Sequence, residues 1–166
     1  MQKASHPRAR RRNALLFLTA VLIVAADQLT KAWIRSYPEG QPVFEAGFFR
    51  IVHVHNTGAS FGLFQGHSLA LAIFALAGVI IFLLYIFFAY RRYPFLENIP
   101  NRVAMGLILG GTVGNLIDRL SSNFDGVTDF ISIGSWPTFN VADSAVTIGA
   151  ILFAFSLLRS AQTENR

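Results

Sequence analysis

The chain contains no cysteine, and only 14% of its 166 residues are charged. The absence of cysteine excludes disulfide bonds, thiolate nucleophiles and cysteine-ligated metal sites. The scarcity of charge, combined with a hydrophobic fraction of 53%, is not typical of a soluble domain of this length. These two deficits indicate a protein that lies in a bilayer and whose chemistry does not involve a thiol.

Linkers, low-complexity tracts and internal repeats are also missing from the sequence. We therefore expect one integral-membrane domain over residues 1–166, with a basic cytoplasmic tail at residues 1–12. The net charge of +5 comes from basic residues that cluster at the ends of apolar segments, where they meet lipid headgroups. We expect membrane lipid as a partner, no nucleic acid, no cofactor and a monomer.

Four apolar segments are long enough to cross the hydrocarbon core as helices, at roughly residues 13–33, 68–90, 102–120 and 141–158. Residues 50–55 and 127–133 alternate as strands do. The predicted fold is an all-α membrane protein with four transmembrane helices and a small β element.

The distribution of basic residues predicts the orientation. Of the 14 Lys and Arg, the side opposite the termini receives only Lys31, Arg35, Arg50 and Arg119. The positive-inside rule then places both termini in the cytoplasm and the long loops outside.

The first apolar segment has an alternative interpretation as a cleaved secretory signal, because Val24, Ala25 and Ala26 resemble a cleavage site. Against this, Asp27 and Lys31 are four residues apart with the acid first, which favours one continuous helix.

Polar residues from separate stretches converge on one depth. At ~1.5 Å per residue, Asp27 and Asn115 each lie about 20 Å along their helices from the cytoplasmic end. Asp129 and Asp143 belong to the outer loop and to the start of the last helix. Because a carboxyl group near lipid is costly, this common depth predicts a functional site.

The third helix carries two small-residue or polar rows. A ridge of glycines every four residues allows close helix packing: Gly106, Gly110 and Gly114. Asp118 continues this ridge at the same spacing. Asn115 and Arg119 form the neighbouring row, so they share a face and are expected to converge on one partner.

Asp129 and Asp143 are the predicted catalytic pair, because two close carboxyls can divide acid and base roles. Asn140 is the better N-cap for the last helix, and a cap needs only one of Asn140 and Asp143. Asp118 competes for either catalytic role, but its neighbour Arg119 favours an ion-paired state. Asp125 is expected to be an exposed turn residue.

Other catalytic interpretations are weaker. A zinc site has His53, His55 and His67 available, but histidines in loops are common. Ser60 lies in G58ASFG62, which matches a nucleophile elbow, yet four spans cannot build the required α/β sheet. A Ser/Lys dyad needs Lys31, whose expected partner is Asp27. No metal is predicted.

A non-enzymatic alternative is a small proton-coupled transporter, which also uses intramembrane carboxylates. Transporters place ionisable groups near the midplane and show inverted repeats. Here the second segment carries no charge and no repeat is visible.

Five stretches, in this order and spacing, resemble the lipoprotein signal peptidases, or signal peptidase II: D27QLTK31, N56TGASFG62, G110GTVGNLIDRL120, V127TDFI131 and F139NVADSAVTIG149. The resemblance implies a bacterial inner-membrane aspartic endopeptidase that cleaves prolipoproteins just before a diacylglyceryl-modified cysteine. It implies an active site near the extracytoplasmic face, extracytoplasmic β structure, a half-helix beside the site, and no metal.

By motif position, the resemblance makes Asp129 and Asp143 the catalytic pair. It also assigns substrate-binding or supporting roles to Asp27, Lys31, Asn56, Gly58, Asn115, Asp118, Arg119, Asn140 and Ala142. The link between Asp129 and Asp143 is shorter than in some relatives, which predicts a reduced loop over the site.

Overall fold

The computed structural model describes residues 7–58, 66–89, 98–121 and 126–164. Four long helices account for most of them: α1 (Pro7–Ile34), α2 (Ser68–Leu84), α3 (Ile99–Leu120) and α4 (Val141–Glu164). By length and composition each of the four can cross a membrane, as predicted, so the protein is a multi-pass membrane protein.

α1 runs without interruption through Ala26 to Ile34, as the spacing of Asp27 and Lys31 predicts. α2 ends in a π-helical turn at Tyr85–Ala89. Within the described residues there is no further helix, so the half-helix implied by the resemblance is not among them. Ser60 and Asp125 lie outside the described residues.

α3 is the central helix of the bundle. Its polar residues and glycines face other helices, and it is far more buried than the other three spans. The helix begins at an Asn98 cap, whose side chain accepts from Asn101 N, and ends at Ser121, where the backbone becomes extended. α1 and α4 pack along it on either side.

The glycines of α3 allow the backbones to approach closely, as predicted. A Cβ at Gly106 would lie 2.6 Å from the Leu16 carbonyl oxygen, and one at Gly110 would lie 2.7 Å from that of Ala20. The ridge therefore packs on α1. Gly111 serves the other side, where its Cβ would collide with the Ala142 carbonyl of α4.

A three-stranded antiparallel sheet covers the end of the bundle where α1 and α3 end and α4 begins. Its order is β1 (Pro42–Ala46), β2 (Phe49–Asn56) and β3 (Val127–Ile133), so both predicted strands are confirmed. A tight turn with Gly47 at φ +61° joins β1 to β2. After β3 the chain returns through Phe139, which pairs with Ile131, directly into α4.

Candidate active site

A fully buried ion cluster joins α1 to α3. Lys31 Nζ lies 2.8 Å from Asp27 Oδ2 and 3.1 Å from Asp118 Oδ2, and all three side chains are inaccessible to solvent. The Asp27–Lys31 pair is therefore confirmed. The predicted pairing of Asp118 with Arg119 is wrong: the glycine ridge faces α1, so Asp118 meets Lys31 and Arg35, whose NH2 is 2.8 Å away.

Asp118 is saturated with donors. In addition to its two cations, it accepts from Gln28 Nε2 at 3.1 Å and from the backbone N–H of Thr128 at 3.1 Å. With two donors on each oxygen, this carboxyl ties α1, α3 and β3 together and has no free lone pair with which to activate water.

Asp129, on β3, is 2% exposed. Its Oδ2 accepts from Asn56 Nδ2 at 2.9 Å, and its Oδ1 accepts from Asn140 Nδ2 at 2.7 Å. Burial, followed by the charge of Asp143, raises the pKa of Asp129 to about 7, although the two amide hydrogen bonds act in the opposite direction. Such a carboxyl can hold a proton near neutral pH.

Asp143 takes part in a reciprocal cap at the start of α4. Asn140 Oδ1 accepts from Asp143 N at 2.9 Å, and Asp143 Oδ2 accepts from Asn140 N at 3.2 Å. The expectation that the cap needs only one of the two is wrong, because each side chain satisfies the other's backbone. The second oxygen of Asp143 accepts from Asn115 Nδ2 at 2.8 Å.

Asn140 bridges the two carboxyl residues, since its amide contacts Asp129 through Nδ2 and Asp143 through Oδ1. Asp129 and Asp143 line one cavity of about 370 Å³, in agreement with the predicted convergence. The other residues around this cavity are Asn56, Asn115, Arg119, Val127, Trp136, Pro137, Thr138, Phe139, Ser144, Thr147 and Ile148.

Arg119 has a different hydrogen-bond partner from Asn115. Its NH2 donates to the Gly58 carbonyl oxygen at 3.1 Å, and Gly58 N donates to Asn56 Oδ1 at 3.0 Å. The predicted convergence on one partner holds for Asp143, to which Asn115 donates and whose charge acts on Arg119; all three residues line the same cavity.

Ala142 is buried, and its backbone N–H donates to Asp27 Oδ1 at 3.0 Å, which fixes the start of α4 on α1. Sequence reasoning did not identify Gln28, Arg35 and Thr128 as partners of Asp118 in the buried ion cluster. The sequence does indicate a role for Arg35, because it follows Lys31 by four residues, just as Lys31 follows Asp27.

The histidines of β2 lie away from this cavity. The rings of His53 and His55 are edge to face with centroids 5.0 Å apart, and His53 Nδ1 lies 2.9 Å from the Tyr37 carbonyl oxygen. Within the part of the chain that the structure describes, no group of three or more His, Asp or Glu is arranged to hold a metal ion.

Comparison with known proteins identifies the family. The family model described as signal peptidase (SPase) II matches residues 19–159. The chain belongs to the signal peptidase II family. A lipoprotein signal peptidase of Dehalococcoides mccartyi is 45% identical over 92% of the chain and 94% of its own length. One of Moorella thermoacetica is 40% identical over 90% of the chain and 96% of its own length.

Solved structures share the fold. A bacterial membrane enzyme determined by the in meso method at 2.3 Å resolution has a TM-score of 0.77 and 30% identity, over 89% of this chain and 90% of the other. A second, at 1.9 Å resolution, has a TM-score of 0.71 and 32% identity, over 86% and 92%. This signal peptidase II family member is a peptidase, and none of these comparisons supports a transporter.

Proposed function

We propose that the protein is an aspartic endopeptidase that removes the signal peptide of prolipoproteins, cleaving just before a diacylglyceryl-modified cysteine. Asp129 and Asp143 are the catalytic pair. The observation that carries this proposal is their position on one cavity with Asn140 as a common bridge. The name of its relatives, lipoprotein signal peptidase, supports the substrate class.

The two carboxyls have different tasks. Asp129 holds the proton, because burial and the charge of Asp143 raise its pKa to about 7. Asp143 is the base, and its place in the first turn of α4 suits a carboxyl group that accepts a proton.

Asp143 takes a proton from water as the water oxygen attacks the scissile carbonyl carbon, while Asp129 donates its proton to the carbonyl oxygen. As the tetrahedral intermediate collapses, the C–N bond breaks, Asp143 gives its proton to the leaving amine, and a hydroxyl of the intermediate returns a proton to Asp129 as the new carboxyl group forms.

Neighbouring polar side chains hold the two carboxyl groups in place. Asn56 and Asn140 each donate to Asp129, whereas Asn115 donates to Asp143. Arg119 lines the cavity, where its guanidinium can bind an extended peptide, and the buried Gly58 holds it by accepting from its NH2. Asp27, Lys31, Asp118 and Ala142 hold α1, α3, β3 and the start of α4 together, and β3 and α4 carry the pair.

We place the site at the extracytoplasmic face of the bacterial inner membrane. The cavity continues along α4 from Asp143 past Thr147 to Ile148, which is 52% exposed on the apolar surface of the bundle. A lipid anchor on the substrate can remain in the bilayer along this surface while the peptide enters the polar end. Such an anchor holds the scissile bond at the depth of the carboxyls.

The test compares two precursors that differ only in the diacylglyceryl group on the cysteine. Purified protein is expected to cleave the lipidated precursor just before the cysteine and to leave the unlipidated one intact. An Asp129→Asn/Asp143→Asn double variant serves as the blank. Equal cleavage of both precursors would contradict the substrate assignment, and cleavage by the blank would contradict the catalytic pair.

A further inference from the structure

The side-chain amide of Asn115 lies between the buried ion cluster and one carboxyl of the pair. Its Oδ1 accepts from Lys31 Nζ at 2.9 Å and from Asn140 Nδ2 at 3.1 Å. Its Nδ2 donates to Asp143 Oδ1 at 2.8 Å. A fully buried cation is thereby connected to Asp143 through a single amide.

The chemistry of lysine decides which way this amide points. An ammonium group has three hydrogens and no acceptor. Those of Lys31 are directed at Asp27 Oδ2, Asp118 Oδ2 and Asn115 Oδ1. With the amide flipped, its NH2 would face the ammonium and its oxygen would face the Asp143 carboxylate. Such an arrangement is unfavourable, because the buried ammonium would face a second donor and the carboxylate would face an acceptor.

We propose that Lys31 is a positioning residue for the reaction described above: by donating to Asn115 Oδ1, it turns the amide NH2 towards Asp143 and thereby keeps Asp143 as the base. This inference rests on the proposed function of the Asp129–Asp143 pair. It gives the cluster on α1 a part in the chemistry beyond holding two helices together.

Several charged groups face Asp143 from the elements around it. Asp129 on β3 and Arg119 on α3 interact with it electrostatically, and Lys31 on α1 acts through Asn115. A useful variant must therefore remove the donor to Asn115 without changing the net charge beside the pair.

The double variant Lys31→Met/Asp27→Asn meets this requirement, because it removes one positive and one negative charge. Asp118 keeps Arg35 at 2.8 Å, and the amide oxygen at position 27 can still accept from Ala142 N–H. Gln28→Met is the matched control. Gln28 donates to Asp118 and to the Gly114 carbonyl in the same cluster, but its hydrogen bonds do not involve Asn115.

The first readout is kcat/KM for the lipidated precursor as a function of pH. On the acidic limb, activity rises as the base ionises. In the double variant this limb is expected to move to higher pH by about one unit, the size of one charge-assisted hydrogen bond. In Gln28→Met it stays where it is in the wild type, even if the protein is less stable. An unmoved limb in the folded double variant would overturn the proposal.

The second readout does not depend on activity. With nitrogen-labelled asparagine, the side-chain NH2 signal of Asn115 is expected to shift with pH in the wild type and not in Asp143→Asn, since it reports the charge of Asp143. The double variant is expected to lose the shift and Gln28→Met to keep it. Absence of the shift in the wild type, or its persistence in the double variant, would overturn the role of Lys31. A wild type that does not cleave the precursor would contradict the proposed function but leave this readout decisive for Lys31.

Discussion

Asp129 and Asp143 are the same residue type in unlike surroundings. Asp129 lies on a strand, is 2% exposed, and accepts from the amides of Asn56 and Asn140. Asp143 lies in the first turn of a helix and accepts from a backbone N–H and from Asn115. Different surroundings allow the two carboxyls to take different roles, which is the condition for one acid and one base.

The raised pKa of Asp129 predicts how activity depends on pH. Below a pH of about 7 the carboxyl keeps its proton and can act as the acid; above it, the proton is lost. We therefore expect kcat/KM for the lipidated precursor to fall as pH rises through about 7. A steady-state profile in detergent or nanodiscs measures this, and a constant rate from neutral to clearly alkaline pH would contradict the assignment of Asp129 as proton donor.

Among the helices, α3 positions the site because its glycines allow the backbones of α1 and α4 to pack directly against it. The glycine ridge holds α1 close enough for Lys31 to reach Asp118 and Asn115. The sheet then brings Asp129 to α4, since Thr128 N donates to Asp118 and Phe139 pairs with Ile131. The positions of the two carboxyl groups thus depend on how closely α1 packs on α3, at glycines several residues away.

This dependence predicts the effect of a single methyl group on α3. In Gly110→Ala, the added Cβ would lie 2.7 Å from the Ala20 carbonyl oxygen and 2.8 Å from Ile23 Cβ, so α1 must move away. We expect a loss of about 1–3 kcal/mol in stability and a lower cleavage rate. Thermal unfolding and the cleavage assay measure the two effects.

Gly78→Ala on α2 is the matched control, because a Cβ there meets no atom within 4 Å. Its stability should change by ~0.5 kcal/mol or less. If the two glycine variants behave alike, the close contact between α1 and α3 does not hold the site together.

The sequence predicts the elements better than the contacts between them. The four spans and two strands follow from hydrophobic runs and alternation, and the Asp27–Lys31 pair follows from helical spacing. The partner of Asp118 does not, because Arg119 is adjacent in sequence whereas Lys31 and Arg35 become neighbours only when α1 packs on the ridge. The cap that uses both Asn140 and Asp143 also depends on the placement of α4.

Viewed as a whole, the molecule gathers the polar residues of the candidate site at one end of the bundle. Asp27, Asn115, Asp129 and Asp143 come from four separate segments and are linked by hydrogen bonds and the Lys31 ion pairs. Exposed aliphatic and aromatic side chains cover much of the spans, as expected of a surface in contact with lipid. This layout suits a substrate held in the membrane by its own lipid.

The proposed orientation can be tested by labelling, because the chain has no cysteine. Glu45 on β1 and Gln162 near the end of α4 are both exposed. In intact cells, a membrane-impermeant maleimide is expected to label Glu45→Cys and to label Gln162→Cys only after permeabilisation, since the positive-inside rule places the termini in the cytoplasm. The reverse pattern would contradict the placement of the site at the extracytoplasmic face.

The most direct test of the account is the cleavage rate of the single variants Asp129→Asn and Asp143→Asn on the lipidated precursor, with Ser60→Ala for comparison. Asparagine preserves the shape of each carboxyl but cannot exchange the proton. We expect each aspartate variant to lose at least ~100-fold in rate while remaining folded, and Ser60→Ala to retain activity. Turnover close to that of the wild type in either aspartate variant would contradict the account.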